Sequence, residues 1–423
     1  MKKSANNIGP AAEPNRSVQK YLSQQAEPEA RLCLELAGSL ANKNASRAQL
    51  NKKGSSDWFD REQALIIPAC NEKAAFVANL AKHSQAATSL LILVVNDNEL
   101  SNRETQENNQ KLIDELMQRA NSIGRLKQLH ALELGELKIL LITRCLNLAL
   151  PAKQGVGLAR KIAADCACAL IDSAFIKRPI IFSTDADARL PNNYFSLDEG
   201  KHSASAWTFD FTHRGGDNAV QHATELYERS LKAWPRELKR AGSPYAYQSL
   251  GSCLAFDYRA YAQVRGFPKR AAAEDFYLLN KLAKINGVSV CPEICIELQA
   301  RRSSRVPFGT GPAVARLIEQ QQRGEQACWY DPAIFSELAE VLKRVDTFQH
   351  HYQQAAAELK PCTRAAIEAA GIEAFIHKRQ QQGDSREQFL RHFHQWFDAF
   401  QSLKFIRHLQ QHAYPPKAIE EVC

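Results

Sequence analysis

The sequence lacks any run of about 18 consecutive apolar residues, the length that an α-helix needs to cross a bilayer. The segment after Met1 is polar and no apolar stretch follows it, so we expect no signal peptide. None of the 11 cysteines forms a C-x-x-C pair, and most of them lie in apolar segments. Reduced thiols in a cytoplasmic protein fit this distribution better than a disulfide framework.

A concentrated positive charge is missing from most of the chain. The net charge is +8, but residues 1–56 alone carry nine Lys and Arg against four Asp and Glu. The remainder has no basic stripe interleaved with aromatic residues, as nucleic-acid-binding proteins have. We therefore expect no nucleic-acid partner, whereas loose attraction of the N-terminal segment to an anionic membrane stays open.

The pattern of strands and helices indicates the fold class. Short apolar strands alternate with helical segments from residue 64 to residue 183, which is typical of an α/β fold with a mostly parallel sheet flanked by helices. We divide the chain into an N-terminal arm (1–56), an α/β domain (57–330) and a C-terminal helical region (331–423). The arm is expected to be partly disordered, over residues 1–18, with one helix over residues 19–50.

One apolar strand, Pro179–Phe182, is followed by two acidic residues, Asp185 and Asp187. In an extended or tightly turning segment, side chains two positions apart can point the same way. Two carboxylates at the C-terminal end of a buried strand suit a hard divalent cation that carries a diphosphate. The alternative is that both residues only cap the following turn, because Asp is common where strands end.

Four further segments place polar residues at strand ends or helix starts. They are Ile67-Pro68-Ala69-Cys70-Asn71-Glu72, Val95-Asn96-Asp97, Gly155-Val156-Gly157-Leu158-Ala159-Arg160 and Glu274-Asp275. Each has a structural alternative, since acidic residues are common in the first turn of a helix and glycine pairs often mark a turn. The order and spacing of all five segments are more specific than any one of them.

With these five segments in order, residues 62–312 resemble a family-2 glycosyltransferase with the GT-A fold. The resemblance implies transfer of a sugar from a nucleotide-sugar donor to an acceptor hydroxyl, metal-dependent and inverting, as in hexosyltransferases. The Q-x-x-R-W motif of processive polysaccharide synthases is missing after Cys291, so we expect a non-processive enzyme. The acceptor is left open between a glycan, a lipid-linked sugar and a small molecule.

The resemblance also implies roles for individual residues. Asp97 would hydrogen-bond the nucleotide base. Arg305, in a loop rich in Arg and Gly, is predicted to reach the donor diphosphate or an anionic acceptor; the alternative is a solvated basic loop. The complete set of predicted donor-binding residues is Pro68, Asn71, Glu72, Asp97, Lys153, Arg160, Asp185 and Arg305.

The remaining roles concern the metal and the acceptor. Asp187 would bind Mg²⁺ or Mn²⁺, with Asp185 contacting the metal through water or the ribose. Asp275 would be the general base that removes the proton of the acceptor hydroxyl. Because Asp275 falls in the first turn of a predicted helix, the helix dipole is expected to lower its pKa.

Two other functions share this fold. A nucleotidyltransferase that makes sugar nucleotides needs a glycine-rich loop with Arg and Lys after the first strand, where this chain has Pro68-Ala69-Cys70-Asn71-Glu72. A non-catalytic scaffold that binds nucleotide sugars is the other alternative, and the presence of Asp185, Asp187 and Asp275 argues against it.

The C-terminal region contains an amphipathic segment, in which apolar side chains recur every three or four residues from Phe389 to Leu409. Core packing or a homodimer contact is the favoured interpretation of this stripe. An exposed stripe would instead rest on the inner face of the membrane. His408 and His412 share the spacing of helical metal ligands, but no partner ligand is apparent and we predict no metal site there.

Overall fold

The structure, a computed structural model, describes residues 15–48, 58–197, 203–301 and 309–423. The strands in these ranges are β1 (Gln63–Ala69), β2 (Ser89–Asn96), β3 (Asn121–Leu126), β4 (Leu129–Leu134), β5 (Leu137–Arg144), β6 (Ile180–Ser183), β7 (Ala188–Arg189), β8 (Ala206–Arg214), β9 (Leu254–Asp257), β10 (Val288–Gln299), β11 (Cys328–Trp329) and β12 (Lys417–Ala418). The helices are α1 (Arg16–Gln24), α2 (Pro28–Ala48), α3 (Ala75–Leu80), α4 (Arg103–Arg119), α5 (Gly155–Asp172), α6 (Asn218–Arg240), α7 (Tyr258–Gln263), α8 (Glu274–Asn286), α9 (Thr310–Gln322), α10 (Ala333–Lys343), α11 (Val345–Ala357), α12 (Pro361–Ala369), α13 (Ile372–Gln381), α14 (Arg386–Trp396), α15 (Ala399–His412) and α16 (Ile419–Val422).

Ten of these strands form one sheet, in the order β3-β4-β5-β2-β1-β6-β9-β8-β10-β7. Strands β5, β2, β1 and β6 are parallel to one another, and β8 is parallel to β10. β9 runs antiparallel between β6 and β8. The predicted α/β fold with a mostly parallel sheet flanked by helices is confirmed. The carboxyl ends of β1, β2, β5 and β6 consequently lie along one edge of the sheet.

Both faces of the sheet centre are covered, which explains why β1 and β2 are apolar throughout. Ala64 and Ile66 of β1 belong to one buried cluster together with side chains of α5. Leu65 and Ile67 point to the opposite face and pack in a second cluster with Leu112 of α4. Alternation along the strand therefore sends successive side chains into two different cores.

The N-terminal arm contains two helices in its described part, where the sequence predicted one. Pro28 opens α2, a position at which proline is favoured because the first helical N–H needs no partner. The hydroxyl of Tyr21 in α1 donates to Asp165 Oδ1 in α5 at 2.5 Å, and Lys161 Nζ donates to the same hydroxyl at 2.6 Å. The described arm is thus tied into the core. Of the residues predicted to be disordered, 1–18, residues 1–14 lie outside the described residues. The prediction is wrong for residues 16–18, which belong to α1, because Val18 is buried against the core.

The apolar stripe of the C-terminal region is divided between two helices. α14 ends at Trp396, and Asp398 caps α15 by accepting hydrogen bonds from the amides of Phe400 and Gln401. Phe389 is fully buried in a cluster formed by the C-terminal helices and α6, whereas Phe400 is 38% exposed. The stripe serves mainly as core, which leaves little of it for a bilayer, and a homodimer through these helices stays a prediction.

Two further observations complete the fold. The long strand β10 continues to Gln299 despite a shift of register between Cys291 and Cys295 in its pairing with β8. Within the described ranges, no helix is long and apolar enough to cross a membrane.

Candidate active site

Polar residues follow three neighbouring strands of the sheet where those strands end. Asn71 and Glu72 follow β1, Asp97 follows β2, and Asp185 and Asp187 follow β6. β1 lies between β2 and β6, and all three strands are parallel. The fold therefore brings segments that are far apart in the chain to one edge of the sheet.

Arg160 of α5 joins the two acidic motifs. Its guanidinium donates to Asp185 Oδ1 at 2.8 Å through Nη2 and to Glu274 Oε1 at 3.0 Å through Nε. Nη1 donates to Ser183 Oγ at 2.9 Å and to the carbonyl oxygen of Gly251 at 3.0 Å. The side chain is only 2% exposed. The D-x-D and E-D motifs therefore meet on one buried cation.

The partners of Arg160 maintain its charge in this buried position. Burial opposes the charge, but the carboxylates of Asp185 and Glu274 outweigh it and hold the pKa of Arg160 above its ordinary value. The contact also requires glycine at position 251, because a Cβ there would lie 2.4 Å from Arg160 Nη2. Arg160 anchors the acidic motifs, and its predicted contact with the donor stays a prediction.

Helix α8 begins at the second acidic motif. Ala273, immediately before it, has a φ of 60°, in the left-handed region that residues with a Cβ rarely adopt. Such a conformation is strained and persists only where the surrounding contacts enforce it. Here the turn directs Glu274 to Arg160 and leaves the side chain of Asp275 half-buried.

The pKa of Asp275 is shifted in the direction opposite to the sequence prediction, which was a lowering by the helix dipole. Burial, and then the negative charge of Glu274, raise the pKa of Asp275 to about 7. Arg160 and the amide of Phe276 act in the opposite direction but do not prevail. The dipole prediction is wrong because loss of hydration outweighs the field of a helix end.

A second arginine, Arg301, contacts the carboxylates of Asp187 and Glu72. Its Nη2 atom donates to Asp187 Oδ2 and to Glu72 Oε1, at 2.6 Å in both cases. The three side chains are largely buried, with 27% of Arg301, 21% of Asp187 and 12% of Glu72 exposed. Glu72, predicted to border the nucleotide, thus lies beside Asp187, the predicted metal ligand.

Asp97 offers an acceptor atom that is not used. Its side chain is buried, and Oδ2 accepts a hydrogen bond from the amide of Leu146 at 3.3 Å. Oδ1 is buried without a hydrogen-bond partner in the described part of the chain. Burial raises the pKa of Asp97, and the Leu146 hydrogen bond offsets this only in part. An unpaired buried acceptor costs free energy that a ligand N–H would recover.

Asn71 turns the chain at the end of β1. Its φ is 57°, a left-handed conformation that Asn tolerates better than most residues. The amides of α4 fix this turn, because Asn108 Nδ2 donates to Asn71 Oδ1 at 2.8 Å and Asn109 Oδ1 accepts from the Asn71 amide at 2.7 Å. Pro68 is buried in β1 beyond Ile66, the last residue of β1 that pairs with β6.

Of the remaining predicted residues, only Lys153 belongs to the part of the chain that the structure describes. Lys153 is exposed in the turn before α5. Gly157 packs against the segment that precedes α8, since a Cβ there would lie 2.6 Å from the carbonyl oxygens of Pro268 and Arg270. This packing agrees with the structural interpretation of the glycine pair. Arg305 lies outside the described residues.

The contacts that hold the site together lie outside the predicted motifs. None of Ser183, Gly251 and Arg301 is among the residues that the sequence predicts for the site. A weak signal existed for Arg301, because it lies two residues beyond the end of β10. No sequence signal points to Gly251, whose role depends on the approach of Arg160.

The residues present fit a divalent cation that is shared with a diphosphate. Within the described ranges, no group of three or more His, Cys, Asp or Glu could hold a metal ion. However, Asp187 and Glu72 direct carboxylate oxygens at one cationic group, and such hard oxygens suit Mg²⁺ or Mn²⁺. Phosphate oxygens of a ligand would supply the other positions, as is usual for Mg²⁺.

Substitution of Arg160 by Met tests its anchoring role. We expect a loss of about 3–5 kcal/mol of stability, because Glu274 and Asp185 would lose a buried partner. Arg160→Lys should be more stable than Arg160→Met but less stable than the wild-type protein, because one ammonium group cannot replace all the N–H donors of the guanidinium. Urea unfolding followed by tryptophan fluorescence measures the effect.

Arg386→Met is the matched control for Arg160, because Arg386 pairs with Asp346 on the surface. An exposed pair of this kind is expected to contribute less than about 1 kcal/mol. Equal destabilisation by the two substitutions would show that Arg160 is not the anchor.

Comparisons with known proteins give structural similarity only. The sequence matches no family model and no curated protein. Among solved structures, one similar chain is the mannosyltransferase PcManGT from Pyrobaculum calidifontis, in complex with GDP-Man and Mn²⁺. It is 15% identical, with a TM-score of 0.35, over 91% of this chain and 99% of that one. Another is GalNAc-T7 with UDP, GalNAc and Mn²⁺, 14% identical with a TM-score of 0.34 over 69% of this chain and 51% of that one.

Proposed function

We propose that this protein is a glycosyltransferase with a GT-A-type fold, which transfers a hexose from a nucleotide-sugar donor to an acceptor hydroxyl. The reaction is proposed to be metal-dependent, inverting and non-processive. The observation that carries the proposal is the meeting of the D-x-D and E-D motifs on Arg160, where Asp185 and Glu274 share one guanidinium. Metal, donor and acceptor functions would then lie at one edge of the sheet.

Asp97 is proposed to recognise the base of the donor. Its unpaired Oδ1 would accept a hydrogen bond from a ring N–H of the base, which uracil and guanine offer. Adenine and cytosine lack such a ring N–H in their common tautomers. A buried polar group without its partner is costly, so the pocket should favour UDP or GDP over ADP or CDP.

Asp187 is proposed to hold Mg²⁺ or Mn²⁺, with Glu72 and Asp185 close by. When bound, the metal would neutralise the negative charge that develops on the departing diphosphate. Arg160 orients Asp185 by a hydrogen bond, and Asp187 accepts a hydrogen bond from Arg301. The protein therefore supplies fixed carboxylates at the end of β6, where the diphosphate is proposed to lie.

Asp275 is proposed to take the proton of the acceptor hydroxyl. The acceptor oxygen forms a bond to the anomeric carbon from the side opposite the leaving group, and the bond to the donor phosphate breaks. The proton passes to Asp275, and a nucleoside diphosphate leaves. A pKa of about 7 suits this transfer, because the carboxyl can hold or release a proton near neutral pH. It also favours an enzyme over a non-catalytic scaffold.

Nucleotide titration with Asp97→Asn tests the proposed function. Calorimetry with Mn²⁺ should show binding of UDP or GDP and much weaker binding of ADP and CDP. Asp97→Asn should weaken binding of the preferred nucleotide by about 10–100-fold, the range expected for loss of a hydrogen bond to a charged group.

Asn108→Ala serves as a companion variant, because Asn108 orients Asn71 after β1, at the same edge of the sheet, without carrying a charge. It should have a smaller effect than Asp97→Asn. Absence of nucleotide binding to the wild-type protein would overturn the proposed function, and equal affinity for all four nucleotides would overturn the role of Asp97.

A further inference from the structure

The contact between Arg301, Asp187 and Glu72 places a positive group where the proposed metal has its ligands. One nitrogen, Nη2, lies 2.6 Å from an oxygen of each carboxylate. Mg²⁺ binds carboxylate oxygens at about 2.1 Å, and a guanidinium hydrogen-bonded to the same carboxylate would repel it, so the two cations compete for Asp187.

We propose that Arg301 is an internal competitor of the metal, which holds Asp187 and Glu72 until a divalent cation displaces it. This inference rests on the proposed function, because it takes Asp187 as the metal ligand. Beyond the proposed function, it adds a step in which the divalent metal replaces Arg301 at the carboxylates of Asp187 and Glu72. Metal affinity would then be set partly by the contact that the metal must break.

The electrostatic setting supports such an exchange. Two carboxylates close together repel each other, and a cation between them relieves that repulsion. Arg301 provides one positive charge, shared by Asp187 and Glu72, whereas a divalent metal provides two. The side chains are largely but not completely buried, so hydrated ions can approach this group.

Protonation does not release this contact at ordinary pH. An arginine guanidinium is protonated throughout the ordinary pH range. The guanidinium thus stays charged, and a competing cation has to displace it. The displaced guanidinium would also be available near the donor diphosphate, for which planar donors are well suited.

The position of Arg301 allows its displacement without disturbing the sheet. Gln299 is the last residue of β10, and the amide of Ala300 still donates to the carbonyl oxygen of Arg214 in β8. Arg301 comes next and so lies outside the strand pairing. Asp187 lies in a turn, closed by a hydrogen bond from the Ala188 amide to the Asp185 carbonyl oxygen at 3.2 Å. The carboxylate can therefore keep its place while the arginine moves.

Mn²⁺ titration in the absence of nucleotide tests the inference, with the free ion measured by electron paramagnetic resonance. Arg301→Gln should bind Mn²⁺ about tenfold more tightly than the wild-type protein, because the Arg301 guanidinium no longer has to be displaced. Arg301→Lys keeps the charge and should show a smaller gain. Arg386→Gln, which removes an exposed arginine paired with Asp346, should leave Mn²⁺ affinity unchanged.

Unchanged or weaker Mn²⁺ binding by Arg301→Gln would overturn the inference, as would failure of both proteins to bind Mn²⁺. Equal melting temperatures for wild type and Arg301→Gln show that the variant is folded. A parallel titration with UDP and GDP separates the two proposals. If Mn²⁺ affinity rises in Arg301→Gln and no nucleotide binds to either protein, the competitor role stands and the glycosyltransferase proposal fails.

Discussion

Replacing Asp187 with alanine is expected to lower the rate of sugar transfer by about 10²–10³-fold, as loss of one charge-stabilising group at a transition state commonly does. The physical reason is that the diphosphate would leave without a well-held cation beside it. Mn²⁺-dependent nucleotide binding should disappear in the same variant. Donor hydrolysis, in which water replaces the unknown acceptor, provides the rate, and calorimetry provides the affinity.

Asp346→Ala is the matched control, since Asp346 also pairs with an arginine but lies on the surface. It should retain wild-type rates and metal dependence. Asp187→Ala should remain folded, because Arg301 keeps Glu72 as a partner. If Asp187→Ala still needed Mn²⁺ for nucleotide binding, the metal ligand would have to be another residue.

Asp275→Asn is expected to reduce transfer by about 10²–10⁴-fold, the usual contribution of a positioned general base. Nucleotide affinity should change little, because the residue is proposed to act on the acceptor. The amide has nearly the same shape as the carboxyl but cannot take the proton. Asp114→Asn, an exposed change in α4, should have the wild-type rate.

The pH dependence of the wild-type enzyme gives a second test of Asp275. The general base must be ionised, so kcat/KM should rise with pH and reach half its maximum near pH 7. Glu274→Gln removes a negative charge that raises the pKa of Asp275, so the midpoint should move to lower pH. If Glu274→Gln leaves the midpoint of the kcat/KM profile unchanged, the group that titrates is not Asp275.

The free energy of unfolding should also depend on pH through the raised pKa of Asp275. The pKa of about 7 in the folded state exceeds the value of about 3.9 expected for an unfolded chain. Between these values the folded protein binds more protons, so stability is lost as pH rises through this range. Asp275→Asn should therefore melt at a higher temperature than wild type at pH 8, while the two differ less at pH 4.

Local sequence patterns predicted the elements that position the candidate site. The strand predicted at Pro179–Phe182 is observed as Ile180–Ser183, because a short apolar run buried on both faces can be recognised without its neighbours. The helix predicted to open at Gly155 also begins there. The polar residues after β1, β2 and β6 come together because parallel strands end at one edge.

The environment of each side chain could not be predicted in this way. The pKa of Asp275 depends on burial and on Glu274 and Arg160, and Arg160 is separated from Glu274 by 114 residues. The N-terminal arm shows the same limit. Its polar composition predicted disorder up to residue 18, whereas Val18 is fully buried and Tyr21 donates to Asp165 across 144 residues.

The sequence by itself determined the α/β class and the order of the acidic motifs, because hydrophobic periodicity and strand-end chemistry are local properties. Only the tertiary structure decided that Arg160 joins Asp185 to Glu274, and that Arg301 lies between Asp187 and Glu72. These ion pairs depend on the approach of distant segments in a poorly hydrated region, where the strength of a charge interaction is set by burial and distance.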